Sequence, residues 1–162
     1  MTEPNSATSA PEASTLPADR GVTPLPLVTV IMPMRNEEGF LARCLSSVAA
    51  TRYPVDRLEV LVMDGASTDN SASIAESFRD RLPGIEVIAN PARIQAAAFN
   101  LGLARARGEI IVRMDAHAEY GPDYIPEAVR LLTTSGAANV GGPQRAVGES
   151  SLTRAIAVAV SS

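Results

Sequence analysis

The sequence predicts an α/β fold, in which a mostly parallel, Rossmann-like sheet is flanked by helices. Short apolar runs of strand length alternate with longer segments that carry apolar residues at helical spacing, from Leu27 to about Gly142. Strands that alternate with helices pair in parallel, and near-continuous apolar runs are typical of strands buried on both faces. With 162 residues, 46% of them hydrophobic, the chain is large enough for one globular domain with its own core.

The first half of this alternation is predicted to contain two strands and two helices. The first strand covers 27–32 (LVTVIM), a run rich in β-branched residues. The following helix covers 37–51, and five of its apolar residues recur at helical spacing: Phe40, Leu41, Cys44, Leu45 and Val48. A second strand and a second helix cover 58–63 and 67–82. Cys44, the only cysteine, is therefore predicted to be a small core residue.

The second half is predicted to contain three more strands and two more helices. The strands cover 85–89, 109–114 and, as a short last run, 138–142. The helices cover 94–107 and 122–136. Gly108 lies just past the third helix, at a position where glycine commonly ends helices.

The two ends of the chain differ from this pattern. Residues 1–26 are rich in Ser, Thr, Pro, Ala and Glu and nearly free of large apolar residues, which predicts a disordered tail. They lack the charged start and apolar run of a signal peptide. The last stretch, SLTRAIAVAVSS, is apolar but shorter than the roughly 20 residues that a membrane-spanning helix needs.

The composition excludes several functions. A net charge of −4 gives no general attraction to nucleic acid. All 14 basic residues are arginine, so neither a Walker-type phosphate loop nor a Schiff-base lysine is available. Arginine is the better clamp for phosphate, although genomic base composition is the explanation that we favour for this bias. One cysteine permits no internal disulfide, and the composition is typical of an intracellular protein.

Polar segments follow each of the first four predicted strands. They cover residues 33–38, 64–71, 90–95 and 115–120. In a parallel α/β sheet these segments meet at the edge where ligands bind. Asp64 and Asp115 come directly after apolar runs, and we interpret both as functional. For Glu38 and Asp69 we favour helix capping, and Arg93 also fits an ordinary surface residue.

Asp115 and the only histidine, His117, are two residues apart. In an extended segment such residues point to the same side, so both side chains would reach one cation. A carboxylate with an imidazole suits Mn²⁺ better than Mg²⁺, and a substrate diphosphate would complete the coordination shell. The alternative is that His117 contacts substrate or solvent without a metal.

Three stretches together resemble the family 2 glycosyltransferases of the GT-A fold: VTVIMPMRNEE, VLVMDGASTDNS and GEIIVRMDAHAEY. The resemblance extends from about Leu27 to Gln144. Within the family, DAHAEY and VGGPQRAVG are most similar to bacterial succinoglycan-type exopolysaccharide enzymes.

The resemblance implies a UDP- or GDP-sugar donor and an inverting transfer. Asp64 would bind the base or the ribose, and Arg93 would lie near the nucleotide. Asp115 and His117 occupy the place of the family's DXD motif, which binds the donor diphosphate through Mn²⁺ or Mg²⁺. His117 replaces the second Asp of that motif. Four further residues would line the nucleotide pocket: Pro33, Arg35, Asn36 and Glu37.

The resemblance also implies that part of the enzyme is missing, so that the GT-A fold is incomplete. The donor-binding domain would cover 27–145, and 146–162 would begin the acceptor-binding half, in which the family carries its catalytic base. Since no Asp or Glu follows Glu149, we expect this chain alone to be inactive. The expected acceptor is a glycan or a lipid-linked glycan. The expected location is the cytoplasm, including the inner face of the cell membrane, with membrane association only through a region beyond Ser162.

Two alternatives fall in other classes: a non-catalytic module and another kind of α/β nucleotide enzyme, of which a dehydrogenase and a nucleotidyltransferase are examples. A non-catalytic nucleotide-binding module would also lack the base. A dinucleotide dehydrogenase would need G-x-G-x-x-G after the first strand, where the chain instead has PMRNEE, and a sugar-phosphate nucleotidyltransferase typically needs a lysine.

Overall fold

The computed structural model of the chain describes residues 24–143. Nearly all of the predicted N-terminal tail and the predicted start of an acceptor-binding half lie outside the described residues. Strands and helices alternate throughout, with a short 3₁₀ helix at Val55–Arg57. The strands are β1 (Val28–Met34), β2 (Leu58–Asp64), β3 (Ile85–Ala89) and β4 (Ile110–Arg113). The helices are α1 (Leu41–Ala49), α2 (Ser71–Glu76), α3 (Gln95–Arg105) and α4 (Tyr124–Ser135).

The four strands form one parallel sheet in the order β3-β2-β1-β4. The two central strands are buried along almost their whole length, which explains their near-continuous apolar sequences. One face carries Val30 and Val62 and is covered by α1, α2 and α4. The other face carries Ile31 and Leu61 and is covered by α3. The predicted parallel α/β fold with helices on both faces is confirmed.

Register places the ends of the strands at one edge. Met34 of β1 is paired with Asp64 of β2, and Asp64 with Ala89 of β3. β4 lies on the other side of β1, where Arg113 is paired with Ile31. The segments that follow all four strands therefore begin close together, as the sequence predicted.

The predicted fifth strand at 138–142 is wrong. These residues form no strand ladder in the structure, and all but Val140 are exposed. The segment lies against α4, since a Cβ added at Gly142 would be 3.3 Å from the Tyr124 ring. Within residues 24–143 β4 pairs only with β1, so its other edge is open, but residues 138–142 do not form a ladder with it.

All four helices are shorter than predicted, the first two by the most. The first begins at Leu41 rather than Glu37, because residues 36–40 form a loop that bonds to the segment after β2. The second ends at Glu76 and continues as turns to residue 81. Cys44 is confirmed as a core residue, with 1% of its surface exposed.

A buried carboxylate, Glu59, lies at the end of the sheet opposite the polar loops. Its Oε2 accepts hydrogen bonds from the Thr29 hydroxyl at 2.6 Å and from the Arg107 backbone N–H at 2.9 Å. Its Oε1 accepts one from Arg107 Nε at 2.6 Å. Burial alone would raise the pKa of Glu59, but these hydrogen bonds and the nearby guanidinium outweigh burial and lower it.

We expect this carboxylate to make the stability of the domain depend on pH. Because the folded-state pKa of Glu59 is lowered, its contribution is present above the unfolded pKa of about 4.5 and is lost as the pH falls through the folded value. Glu59→Gln should reduce the free energy of unfolding by about 1.5–3 kcal/mol near neutral pH, the usual range for hydrogen bonds to charged groups. Urea unfolding at a series of pH values should show this deficit shrinking below about pH 4.5. Glu86→Gln, which alters an exposed ion pair with Arg105, is the matched control, and a pH-independent deficit in Glu59→Gln would contradict the prediction.

Candidate functional site

A cleft of about 200 Å³ lies at the edge where the strands end. Residues from all four strand-end segments line it. Six of the eight predicted site residues are among them: Pro33, Arg35, Glu37, Arg93, Asp115 and His117. The lining also contains residues that the sequence analysis did not single out: Met34, Met63, Gly65, Asn90, Ile94, Gln95, Ala98 and Ala116. Most of these are apolar or small, and only their position relative to the other loops marks them as part of a cleft.

The other two predicted residues, Asn36 and Asp64, lie outside this lining and join the first two loops. Asn36 Oδ1 accepts a hydrogen bond from the Thr68 N–H at 2.8 Å, and the Asn36 N–H donates to Ser67 Oγ at 3.0 Å. Asp64 Oδ1 accepts from both the N–H and the hydroxyl of Ser67, at 2.9 and 2.6 Å. These bonds hold the loops after β1 and β2 against each other.

Glu38 and Asp69 add to the same junction. Glu38 Oε2 accepts from the N–H and the side-chain amide of Asn70, both at 3.0 Å. Asp69 accepts from the Glu38 N–H at 3.1 Å and from the Ser71 hydroxyl at 2.6 Å. The Ser71 hydroxyl is the main cause that lowers the pKa of Asp69. Both carboxylates are thus occupied in joining the loops, whereas the N-cap residues of α1 and α2 are Phe40 and Asn70, neither of which makes a side-chain cap hydrogen bond.

Within residues 24–143, three residues other than glycine have left-handed backbone conformations, one in each of the first three loops. Asn36, Ala66 and Arg93 have φ values of 56°, 60° and 59°. Such conformations cost about 1–3 kcal/mol each and are concentrated at functional sites. The contacts described above hold the first two loops in shape, and the Asn90 side-chain amide, which donates to the Ile94 carbonyl at 3.1 Å, spans the third.

Two arginines bring positive charge to the cleft. Arg35 and Arg93 are both exposed, and neither side chain has an ion-pair or hydrogen-bond partner within residues 24–143. The cleft also includes Gln95 and Ala98, from the first turn of α3. The N–H groups at a helix start and unpaired guanidinium groups both favour an anion.

Asp115 and His117 project into the cleft from the segment after β4. Met114 and Ala116 are each 1% exposed, so the alternate residues point into the core and Asp115 and His117 point outward. The segment is not extended as predicted, because the Ala118 N–H bonds back to the Asp115 carbonyl in a turn, and it is this turn that leaves both side chains at the cleft. Asp115 Oδ1 lies 3.3 Å from the Arg113 guanidinium, which is exposed.

The backbone of Asp115 is held by residues that the sequence analysis did not connect with it. Its N–H donates to the Tyr120 hydroxyl at 2.7 Å, and its carbonyl accepts from the Ala118 N–H at 3.1 Å. The thiol of Cys44 in α1 also approaches that carbonyl, at 3.6 Å. Burial raises the pKa of Tyr120 and the pKa of Cys44, each to about 12, so both groups are protonated at neutral pH and act as donors or acceptors of hydrogen bonds.

The possible metal ligands in the cleft fit a cation that is shared with a bound substrate better than a metal centre built from protein side chains alone. Within residues 24–143, no group of three His, Cys, Asp or Glu side chains is arranged to hold a metal ion. Asp115 and His117 would supply one carboxylate and one imidazole, and the remaining ligands would have to come from a bound substrate. This chemistry fits a cation bound together with a diphosphate.

The fold and the cleft together define a class of protein. It is a parallel α/β domain in which the loops after the strands place arginines, a carboxylate and an imidazole around one small cleft. The model of the family "Glycosyl transferase family 2" matches residues 29–157, and the chain belongs to this family. The predicted family resemblance is therefore confirmed.

Three similar proteins illustrate the relationship. Succinoglycan biosynthesis protein ExoA of Rhizobium meliloti is 30% identical over 135 residues, which are 82% of this chain and 41% of ExoA. Mannosyltransferase PcManGT of Pyrobaculum calidifontis, solved with GDP-Man and Mn²⁺, has a TM-score of 0.63 and 36% identity over 68% of this chain and 33% of its own. Glucosyl-3-phosphoglycerate synthase of Mycobacterium tuberculosis, solved with Mn²⁺, UDP and glucosyl-3-phosphoglycerate, has a TM-score of 0.53 and 26% identity over 67% of this chain and 40% of its own.

The comparisons confirm the likeness to succinoglycan-type proteins and the GT-A type of fold. The chain spans 31–41% of the length of the first curated relatives that it matches. Among the described residues, no helix is both long and apolar enough to cross a membrane.

Proposed function

We propose that this chain supplies the donor-binding half of a glycosyltransferase that transfers a sugar from a UDP- or GDP-sugar to a glycan or lipid-linked acceptor. The observation that carries the proposal is the single cleft lined by Arg35, Arg93, Asp115 and His117, which follow three different strands. The two structural neighbours support the same donor class, since they were solved with GDP-Man and with UDP.

The arginines would bind the donor diphosphate. Arg35 and Arg93 line the cleft without partners in the described part of the chain, so binding an anion would not require breaking an ion pair. A guanidinium can pair with phosphate through two parallel hydrogen bonds. The first turn of α3, at Gln95, would add backbone N–H donors.

Asp115 and His117 would hold a divalent cation against that diphosphate. When bound, the cation would neutralise charge that develops on the leaving group. An imidazole with a carboxylate favours Mn²⁺ over Mg²⁺, and both neighbours were solved with Mn²⁺. Tyr120 would hold Asp115 in place for this role, because its hydroxyl accepts a hydrogen bond from the Asp115 backbone N–H.

The nucleoside would lie toward the first two loops. Asp64 accepts both Ser67 hydrogen bonds through Oδ1, so its Oδ2 is the atom proposed to bind the base or the ribose. Pro33 lines the cleft beside Arg35. Asn36 is proposed to shape the nucleotide pocket indirectly, by holding the loop after β2, because its side chain already accepts a hydrogen bond from the Thr68 N–H.

Transfer is proposed to invert the anomeric carbon, with a carboxylate base beyond Ser162 that takes the acceptor proton. Glu119 does not supply it in this proposal, since it lies 3.6 Å from Arg43 in an exposed ion pair. This chain alone should then bind donor and transfer little or no sugar. Likeness to ExoA supports a role in exopolysaccharide or cell-surface glycan synthesis, and the cytoplasmic location stays a prediction.

Calorimetric titration tests the proposal. The 162-residue chain is titrated with UDP and with GDP, each in Mn²⁺, in Mg²⁺ and in EDTA. We expect one nucleotide to bind, most tightly in Mn²⁺ and most weakly in EDTA, with AMP as the control that carries no diphosphate. The absence of binding by both nucleotides in Mn²⁺ would overturn the proposal. Transfer assays on the parent protein extended past residue 162 separate an enzyme from a non-catalytic module.

A further inference from the structure

A contact between the first and the last strand-end loops is left unused by the proposed function. Glu37 Oε1 lies 3.3 Å from His117 Nδ1, although the two residues are 80 positions apart in the chain. β1 and β4 are neighbours in the sheet, and this adjacency brings the loops together. Both side chains line the cleft.

The two partners differ in how firmly they are held. The Glu37 N–H donates to the Ser71 hydroxyl at 2.7 Å, and its carbonyl accepts from the Leu41 N–H at 2.8 Å at the start of α1. Its side chain is 22% exposed, whereas that of His117 is 62% exposed. Glu37 is therefore the anchored member of the pair, and His117 is the member whose orientation the contact can decide.

The chemistry of the contact determines which imidazole nitrogen remains available. A carboxylate only accepts hydrogen bonds, so a neutral imidazole must present its proton on Nδ1 to Glu37. The lone pair then lies on Nε2. Histidine ligands of metal ions are commonly oriented in this way by a carboxylate on the other ring nitrogen.

We propose that Glu37 is a positioning residue, which fixes the His117 ring as the Nδ1–H tautomer and presents Nε2 to a cation shared with a donor diphosphate. This inference rests on the proposed function, and it gives Glu37 a role other than lining the nucleotide pocket. Without the carboxylate, the exposed ring would rotate and exchange its proton between the two nitrogens. Outer-shell partners of this kind contribute about 10- to 100-fold to metal affinity.

The test uses the fact that His117 is the only histidine in the chain, so that its ring nitrogens give unambiguous signals. Long-range ¹H–¹⁵N NMR of the metal-free, nucleotide-free chain in mildly alkaline buffer should show a protonated Nδ1 and an unprotonated Nε2. Glu37→Ala should give a mixture of tautomers. Glu127→Ala is the control for the loss of a carboxylate elsewhere, because Glu127 pairs with Arg130 on α4 and does not line the cleft. A wild-type ring protonated on Nε2, or the same tautomer shift in both variants, would overturn the proposal without any variant needing to bind ligand.

Binding separates this inference from the function on which it rests. In calorimetry, Glu37→Ala should weaken Mn²⁺-dependent nucleotide binding about 10- to 100-fold, with a much smaller change in EDTA. Glu37→Gln, which keeps an acceptor oxygen, should recover most of the loss. If wild type binds Mn²⁺ and nucleotide but Glu37→Ala binds equally well, the positioning role is wrong and the proposed function stands. If wild type binds no nucleotide, the proposed function itself fails, and with it the role of Glu37.

Discussion

Asp115→Ala should abolish most cation-dependent nucleotide binding. We expect the Kd measured by calorimetry in Mn²⁺ to rise by about 100-fold or more, because a direct ligand should contribute at least as much as the outer-shell groups that give about 10- to 100-fold. The loss should nearly disappear in EDTA. Mn²⁺ electron paramagnetic resonance should show correspondingly less bound ion in the presence of nucleotide.

This variant should fold normally, which makes the result interpretable. The bond from the Asp115 N–H to the Tyr120 hydroxyl does not involve the deleted carboxylate. The lost ion pair with Arg113 is largely exposed on the arginine side and contributes about 0–1 kcal/mol. Asp123→Ala is the matched control, since that carboxylate pairs with Arg52 and does not line the cleft. If Asp115→Ala and wild type bind nucleotide equally well in Mn²⁺, Asp115 does not bind a cation and the proposed cation site is wrong.

Gly108→Ala should be strongly destabilising, for a reason of packing rather than of backbone conformation. A Cβ at this position would lie 2.5 Å from the Thr29 nitrogen and 2.8 Å from the Leu27 carbonyl oxygen. The Gly108 N–H also donates to Thr29 Oγ1 at 2.9 Å, within the group of contacts around Glu59. Because the obstructing atoms are mainly backbone, we expect a loss of about 3 kcal/mol in the free energy of unfolding, at the upper end for overpacked sites.

Urea unfolding of Gly108→Ala beside Gly121→Ala measures this effect. A Cβ at Gly121 would meet nothing within 4 Å, so the control should change stability by less than about 0.5 kcal/mol, as surface substitutions do. Similar unfolding curves for the two variants would contradict the packing argument.

Gly108 also illustrates what sequence reasoning missed. Its place after a predicted helix indicated a helix-ending glycine, which would have a left-handed conformation. In the structure α3 ends at Arg105, and the only glycine in the described part of the chain with positive φ is Gly136, after α4. The need for a residue without a Cβ at Gly108 comes from the close approach of Thr29, 79 residues away in the chain, and no local sequence pattern could reveal it.

The candidate site was also predictable only in part: its residues could be placed at the strand-end edge, but their contacts with one another could not. Asp115 and His117 could be placed at the strand-end edge because they follow an apolar run, but the sequence pattern did not reveal that a turn at 115–118, rather than an extended segment, presents them to the cleft. Asn36 and Asp64 were correctly placed near the same edge, but their bonds to Ser67 and Thr68 depend on how two loops pack. The predicted strand at 138–142 also failed on tertiary contacts, since this segment lies against α4 and does not pair with the open edge of β4.

By itself, the sequence determined the class of fold, the order of its strands and helices along the chain, and the edge at which polar residues collect. Those properties follow from apolar periodicity, which can be read within short segments of the sequence, and from the general geometry of parallel sheets. Tertiary structure alone decided that Glu37 meets His117, that Tyr120 holds Asp115 and that Glu59 is buried among donors. These are contacts of individual atoms across packed elements, and their existence depends on distances of a few ångströms that periodicity does not specify.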